Sequence, residues 1–166
     1  MKTFLFFLFT AFMLSACSTS PKPKTIYIVR HAEKQLDGND PELSTAGSAR
    51  ARKLAQILAG QNIQHIFSTD YQRTRMTAKP TADQAGISIN SYDPQKHDEL
   101  VIQLRSLEGN ILVVGHSNTV GQVANYFVED GEQYEDLGDT EYNFIYVVTL
   151  AKDGTSSVER KTYKDY

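Results

Sequence analysis

Apolar residues along this chain alternate between short unbroken runs and stretches in which they recur every three or four positions, so buried strands are predicted to alternate with amphipathic helices. The runs at 26–29 (IYIV) and 110–114 (NILVV) are rich in β-branched residues and predict strands buried on both faces, the usual condition inside a parallel sheet. Shorter strands are predicted at 65–69 and 88–92, a strong one at 142–150, and a last one at 156–163 joined to it through Asp153-Gly154. Between them, Ala49, Leu54, Ala55, Ile57 and Leu58 share one helical face, with Ser44 or Thr45 as N-cap and Gly60 as the stop. A second helix follows Asp70, with a break expected near Pro80. A third carries Leu100, Ile102, Leu104 and Leu107 up to Gly109, and a fourth runs from Asn118 to Val128. The pattern is that of an α/β domain.

The first residues depart from this pattern. Lys2, the apolar run from Phe4 to Leu14 and the small residues Ser15-Ala16 have the order of a secretory signal, and the run is well short of the ~20 residues that span a bilayer. Leu14-Ser15-Ala16-Cys17 also resembles the lipobox of bacterial lipoproteins, which makes Cys17 a candidate for lipidation, with a signal peptide cut nearby as the plainer alternative. Cys17 is the sole cysteine, so an internal disulfide is excluded. The expected organisation is a signal peptide at 1–16, a lipidated cysteine and flexible tether at 17–24, and one folded domain at 25–166. The expected location is extracytoplasmic, on the periplasmic face of an outer membrane if the source has two membranes, since Ser18 follows the cysteine. The formal charge of −3, or −4 once Lys2 is removed, gives no support to nucleic-acid binding.

Charge placement adds the chemistry. TIYIVRH and NILVVGH deliver His31 and His116 at the same offset past the same kind of strand, so both histidines are expected at one sheet edge. Arg30 lies beside the first. Arg73 and Arg75 begin the helix after the 65–69 strand, where cations oppose the helix dipole and a nearby anion would relieve the conflict; Arg75 is expected to project into water. Arg30, His31, Arg73 and His116 thus suit a phosphoryl group, which a neutral imidazole can attack while cations hold its oxygens. Arg30 is expected to help keep His31 unprotonated.

Arg30-His31-Ala32-Glu33-Lys34, Leu43-Ser44-Thr45-Ala46-Gly47 with Arg50-Ala51, Ser68-Thr69 with Arg73-Thr74 and Thr77-Ala78, and Gly115-His116-Ser117-Asn118-Thr119 together resemble the histidine phosphatase superfamily, the phosphoglycerate mutase-like clan, and its small bacterial members in particular. The resemblance implies a three-layer α/β sandwich whose mixed, mainly parallel central sheet lies between helices. It also implies His31 as the phosphorylated nucleophile, Arg30, Arg73 and His116 around the phosphoryl oxygens, and no metal or other cofactor. Ser117 and Asn118, at the start of the fourth helix, are further candidates for substrate binding. The expected activity is metal-independent hydrolysis of a phosphomonoester, borne by a small molecule or a phosphoprotein. Mutase activity is less expected, because the chain leaves few residues for insertions.

Two positions depart from the family pattern. Ala32 stands where many members carry glycine, and Ser117 where one branch carries an acidic proton donor. The donor is therefore expected at Glu99, with Asp98 and Glu33 as rivals. A nucleophile elbow at Gly115–Thr119 is disfavoured because no histidine follows His116, and a zinc deaminase site because its cysteine pair is absent. A metal site joining His65 or His97 to the other two is also disfavoured, His65 lying at the opposite end of its strand and His97 being expected at the surface. The alternative from another class is a lipoprotein that binds phosphate or a phospholigand with little turnover.

Overall fold

The computed structural model describes residues 23–166. The leader, Cys17 and the tether up to residue 22 lie outside the described residues. The chain alternates β1 (Lys24–Arg30), α1 (Thr45–Leu58), β2 (Ile63–Ser68), α2 (Gln72–Ala85), β3 (Ile89–Ser91), α3 (His97–Ser106), β4 (Asn110–Gly115) and α4 (Val120–Asn125), and closes with β5 (Phe144–Leu150) and β6 (Ser156–Thr162). One six-stranded sheet has the order β3-β2-β4-β1-β5-β6. The β1–β4, β2–β4 and β2–β3 pairings are parallel, while β5 runs antiparallel to β1 and to β6. The sheet is mixed and mainly parallel, as expected.

Alternation along the two central strands builds two cores. Ile26, Ile28, Ile111 and Val113 face α3 and α4 through Leu104, Val123 and Phe127. Tyr27, Val29, Leu112 and Val114 face α1 and α2 through Leu54, Leu58, Ala78 and Ala82. Each strand is thus buried on both faces, which is why its sequence reads as a continuous apolar run rather than an alternating one.

Four expectations need correction. Pro80 does not break its helix: α2 continues to Ala85 and ends at Gly86 in the left-handed conformation. Loss of one backbone bond is offset by the buried face of Thr77, Ala78, Thr81 and Ala82, which packs against α1 and the sheet. The fourth helix is shorter than predicted, because Thr119 Oγ1 accepts the His116 N–H at 3.0 Å and holds residues 117–119 in a turn. At its other end, Phe127 and Val128 donate to carbonyls only three residues back. The fold also begins one residue earlier than the sequence suggests. Lys24 opens β1, is 6% exposed, and donates its ammonium to the carbonyls of Leu104, Arg105 and Leu107 at the C-terminus of α3. His97, lastly, is half-buried, not exposed.

The segment after β1 is anchored by the α1 N-terminus. Ser44, the N-cap, accepts from Gly47 N–H, and its own N–H donates to the Glu33 carbonyl at 2.9 Å. Gly47 lets the two backbones meet: a Cβ there would lie 2.0 Å from that carbonyl oxygen. Gly47→Ala is therefore expected to lower the unfolding free energy by about 1–3 kcal/mol in urea titration. Gly60→Ala, where a Cβ meets nothing within 4 Å, is expected to stay within about 0.5 kcal/mol of the parent.

Candidate active site

The C-terminal ends of β1, β2 and β4 open into a cleft of about 460 Å³ whose floor holds Arg30, His31, Arg73 and His116. Parallel pairing sets Arg30 opposite Gly115, and the His31 N–H donates to the Gly115 carbonyl at 2.9 Å, one step past the strand. The two imidazoles consequently meet with ring centroids 5.6 Å apart. Ser117 and Asn118 line the same cleft, so six of the residues singled out in the sequence converge.

His31 is 4% exposed, and its Nδ1–H donates to the Ala32 carbonyl at 2.8 Å. That bond assigns the lone pair to Nε2, which makes no hydrogen bond among the described residues. The Ala32 N–H in turn donates to Thr77 Oγ1 at 2.9 Å, so a backbone link to α2 fixes the turn that carries the ring. The methyl group of Ala32 is fully buried beside Leu43 and Ala51, so it packs away from solvent. Burial, then the Arg30 charge and the neighbouring His116 and Arg73, pull the His31 pKa down to about 3 against the partial opposition of the Ala32 bond. Arg30 thus acts in the expected direction, but desolvation is the larger cause.

His116 is held by a chain of threonines. Its Nε2–H donates to Thr69 Oγ1 at 2.9 Å, Thr69 donates to Thr74 Oγ1, and Thr74 donates to the carbonyls of Thr69 and Tyr71. Its Nδ1 accepts from Arg73 at 3.5 Å. Burial, followed by Arg73 and Arg30, lowers its pKa to about 4.

The arginines are held differently. Arg30 lies under the segment that enters β5, where its Nη1 donates to the Gly138 carbonyl at 2.7 Å and to those of Asp139 and Glu141 at 3.3 Å. The Tyr142 ring covers its guanidinium at 4.0 Å. Arg73 stacks on Tyr71 at 4.4 Å and lies 3.5 Å from Asp40, whose carboxylate also accepts the Gln72 N–H at the start of α2. Asp40 is the anion that relieves the conflict of cations at that helix start. Both arginines keep a buried Nε–H with no acceptor among the described residues. Arg75 projects into water, paired with Asp70.

Glu99 is not brought to the site. Leu100, Val101 and Leu104 bury one side of α3, and Glu99 lies outside it, 69% exposed and paired with Lys96 at 3.0 Å. Of its rivals, Asp98 is exposed on the same helical turn. Glu33 is committed to Arg50, which donates Nε–H and Nη2–H to its carboxylate; those bonds hold the Glu33 pKa below the usual range. Pattern reasoning overlooked Tyr71 and Tyr142, which stack on the arginines, and Asp139, which lines the cleft. Tyr71 had a local signal, its place two residues before Arg73; Asp139 comes from a loop without apolar periodicity, and Tyr142, expected to open a strand at 142–150, lies in that loop because β5 begins only at Phe144.

A paired-histidine, paired-arginine floor at parallel strand ends is one frame for comparison, and the chain itself supplies another: the profile of the histidine phosphatase superfamily (branch 1) matches residues 26–101. That match covers a little under half of the 166 residues, and over it the chain is similar to the histidine phosphatase superfamily. The matched residues carry Arg30, His31 and Arg73, and the fold places His116 beside them. A Yersinia enterocolitica protein named "Probable phosphoglycerate mutase GpmB" is 35% identical over 71 residues, which is 39% of this chain and 33% of that protein. The alignment thus spans about a third of the length of such curated relatives. Among solved structures, the protein histidine phosphatase SixA complexed with tungstate shares the fold with a TM-score of 0.71 at 19% identity, over 85% of this chain and 98% of that one. A phosphoserine phosphatase of Entamoeba histolytica in complex with 3-phosphoglyceric acid does so at 0.63 and 14%, over 84% and 97%.

The two lowered histidines couple folding to pH. The unfolded chain takes up these protons near pH 6.5 and the folded chain only near 3 and 4, so the unfolded state binds more protons between those values. Stability present above about pH 6.5 is therefore expected to fall as the pH drops through that window, with a shallower slope in His31→Ala. In NMR titrations the His31 and His116 ring protons are expected to show no titration step between about pH 8 and 5.

Proposed function

We propose that this protein is a phosphomonoester hydrolase that works without a metal, through a phosphohistidine on His31. The observation that carries this reading is the state of that imidazole: Nδ1 is tied to the Ala32 carbonyl, the ring is neutral, and Nε2 is left free among two guanidiniums and a second neutral imidazole. In the first half-reaction Nε2 attacks phosphorus and the bond to the leaving oxygen breaks. In the second, water attacks phosphorus, the P–N bond breaks and inorganic phosphate leaves. Arg30 and Arg73 take the equatorial oxygens, where charge spreads in the transition state, and His116, held by Thr69, lies beside them. The unused buried Nε–H of each arginine supports an anionic occupant. A floor of cations also disfavours a divalent metal by simple repulsion.

The cleft is open along its rim, between Tyr71 on one side and the loop bearing Asp139 on the other. That openness favours release over reorientation of a phosphorylated intermediate, and so hydrolysis over mutase chemistry. It suits a small phosphate ester or a phosphorylated side chain of another protein. The exposed position of Glu99 favours a second reading, a phosphate-binding protein with slow turnover.

The proposal extends to location: an extracytoplasmic protein anchored through a lipid on Cys17. Its support is the order of residues 2–17 and the direction of β1. Lys24 begins that strand and Arg30 ends it, so a tether would leave the domain at the edge opposite the cleft, about 20 Å away at about 3.3 Å per residue. The cleft would then face away from a membrane.

Rapid quenching of the purified protein with p-nitrophenyl phosphate is expected to trap acid-labile, base-stable phosphate on His31. His31→Ala is expected to lower kcat/KM by at least about a thousandfold, and EDTA to leave it unchanged. Activity that survives His31→Ala would sink the mechanism, whereas tight phosphate binding without hydrolysis would establish the binder. Cys17→Ala is expected to move the protein from the membrane fraction to the soluble one; an unchanged distribution would refute the anchor.

A further inference from the structure

The acid that protonates the leaving group has no occupant among the carboxylates that sequence reasoning nominated, but the loop between α4 and β5 brings another to the cleft. We propose that Asp139 is the general acid. This rests on the phosphohistidine reading above and assigns the one proton that reading leaves without a donor.

Asp139 is the sole acidic residue lining the cleft among the described residues. Its backbone carbonyl accepts from Arg30 Nη1 at 3.3 Å, which places the residue directly beside a guanidinium proposed to hold the phosphoryl oxygens. Its carboxylate forms no hydrogen bond or ion pair among the described residues, whereas Glu33 is locked to Arg50, Asp40 caps α2, and Glu99 is paired with Lys96 outside the cleft.

The loop is built to hold that position. The Leu137 N–H donates to the Ser117 carbonyl at 2.9 Å, next to His116, and the Leu137 side chain is 7% exposed in the core. Gly138 and Glu141 close a turn on either side of Asp139: the Glu141 N–H donates to the Gly138 carbonyl at 3.0 Å, and Glu141 Oε2 accepts the Gly138 N–H at 2.7 Å. Further back, Asn125 accepts the Tyr134 N–H and donates to the Tyr134 carbonyl. Gly121 permits the close approach of α4, since a Cβ there would lie 2.8 Å from the Glu135 carbonyl. The loop is thus fastened to the segment after each catalytic strand, at Ser117 on one side and Arg30 on the other. Such positioning is what general acid catalysis requires.

The step balances. As the Nε2–P bond forms and the P–O bond breaks, the leaving oxygen takes the proton from the Asp139 carboxyl and departs as an alcohol. In the second half-reaction the Asp139 carboxylate takes a proton from the attacking water, so the carboxyl is restored as phosphate is released.

The test exploits leaving-group dependence. An alkoxide needs the proton, while p-nitrophenolate departs without it. Asp139→Asn in the full chain is expected to lower kcat/KM for an alkyl phosphate such as glycerol phosphate by about 10²–10⁴-fold, and for p-nitrophenyl phosphate by at least about tenfold less. Asp139→Glu is expected to recover part of the alkyl rate, and Asp139→Asn to retain burst phosphorylation of His31 by the aryl ester. An equal loss on both substrates, or no loss on either, would overturn the assignment. So would a leaving-group-dependent loss in Glu99→Gln with Asp139→Asn unaffected. Failure of the phosphohistidine mechanism itself reads out separately, as activity that survives His31→Ala.

Discussion

The site depends on one backbone contact, the parallel register that sets Arg30 opposite Gly115 and is extended by the His31 N–H to the Gly115 carbonyl. Because each strand residue alternates faces, a slip of one position would turn one histidine from the cleft into the core. The register is secured from both sides: the four apolar residues of each strand bury opposite faces against different helix pairs. Gly115 adds a further constraint. A Cβ there would lie 2.7 Å from Tyr92 Oη and 3.0 Å from Thr119 Oγ1, so the strand end can close on its neighbours only without a side chain.

Four groups able to carry the same charge on the floor of one cleft should repel, and the fold resolves this by treating the two kinds of residue differently. The imidazoles are neutral because burial outweighs every other influence on them. The guanidiniums keep their charge and are solvated by the protein: carbonyl oxygens and the Tyr142 ring around Arg30, the Tyr71 ring and Asp40 around Arg73. Tyr142 also lies 6.0 Å from His31, and Tyr71 stands edge-on to His116 at 5.0 Å, so each histidine shares an aromatic neighbour with the arginine beside it. Two similar triplets thus face one another across the floor. Their dipoles and charges are in place before any anion arrives, which is the condition under which electrostatic stabilisation costs no reorganisation.

Much of this was legible because it is local. Apolar runs mark the central strands, a Ser-to-Gly spacing marks the start of α1, and the residues just past each strand end reach the same edge by topology alone. Glu99 was misplaced because its distance from Arg73 along the chain carries no information about the rotation of α3, which Leu100, Val101 and Leu104 decide. The intrinsic tendency of Pro80 to break a helix is visible in the sequence, and the packing that overrides it is not. The loop ending at Tyr142 was opaque for a different reason: it is polar, lacks periodicity, and is organised by carbonyl groups, which every residue type possesses. Lys24 looked like part of a flexible tether because its partners are likewise main-chain oxygens, about eighty positions away.

The ammonium of Lys24 has a mechanical consequence. It fastens the first residue of β1 to the C-terminus of α3, and β1 itself lies in mid-sheet between β4 and β5. A pull on the chain ahead of Lys24 would run along β1 and load its hydrogen bonds to both neighbours together, in shear, instead of peeling them apart one by one. Rows of bonds strained in parallel yield far less readily than bonds opened in sequence. The strand that carries Arg30 and His31 at its far end is for that reason the one best shielded from tension applied at its near end.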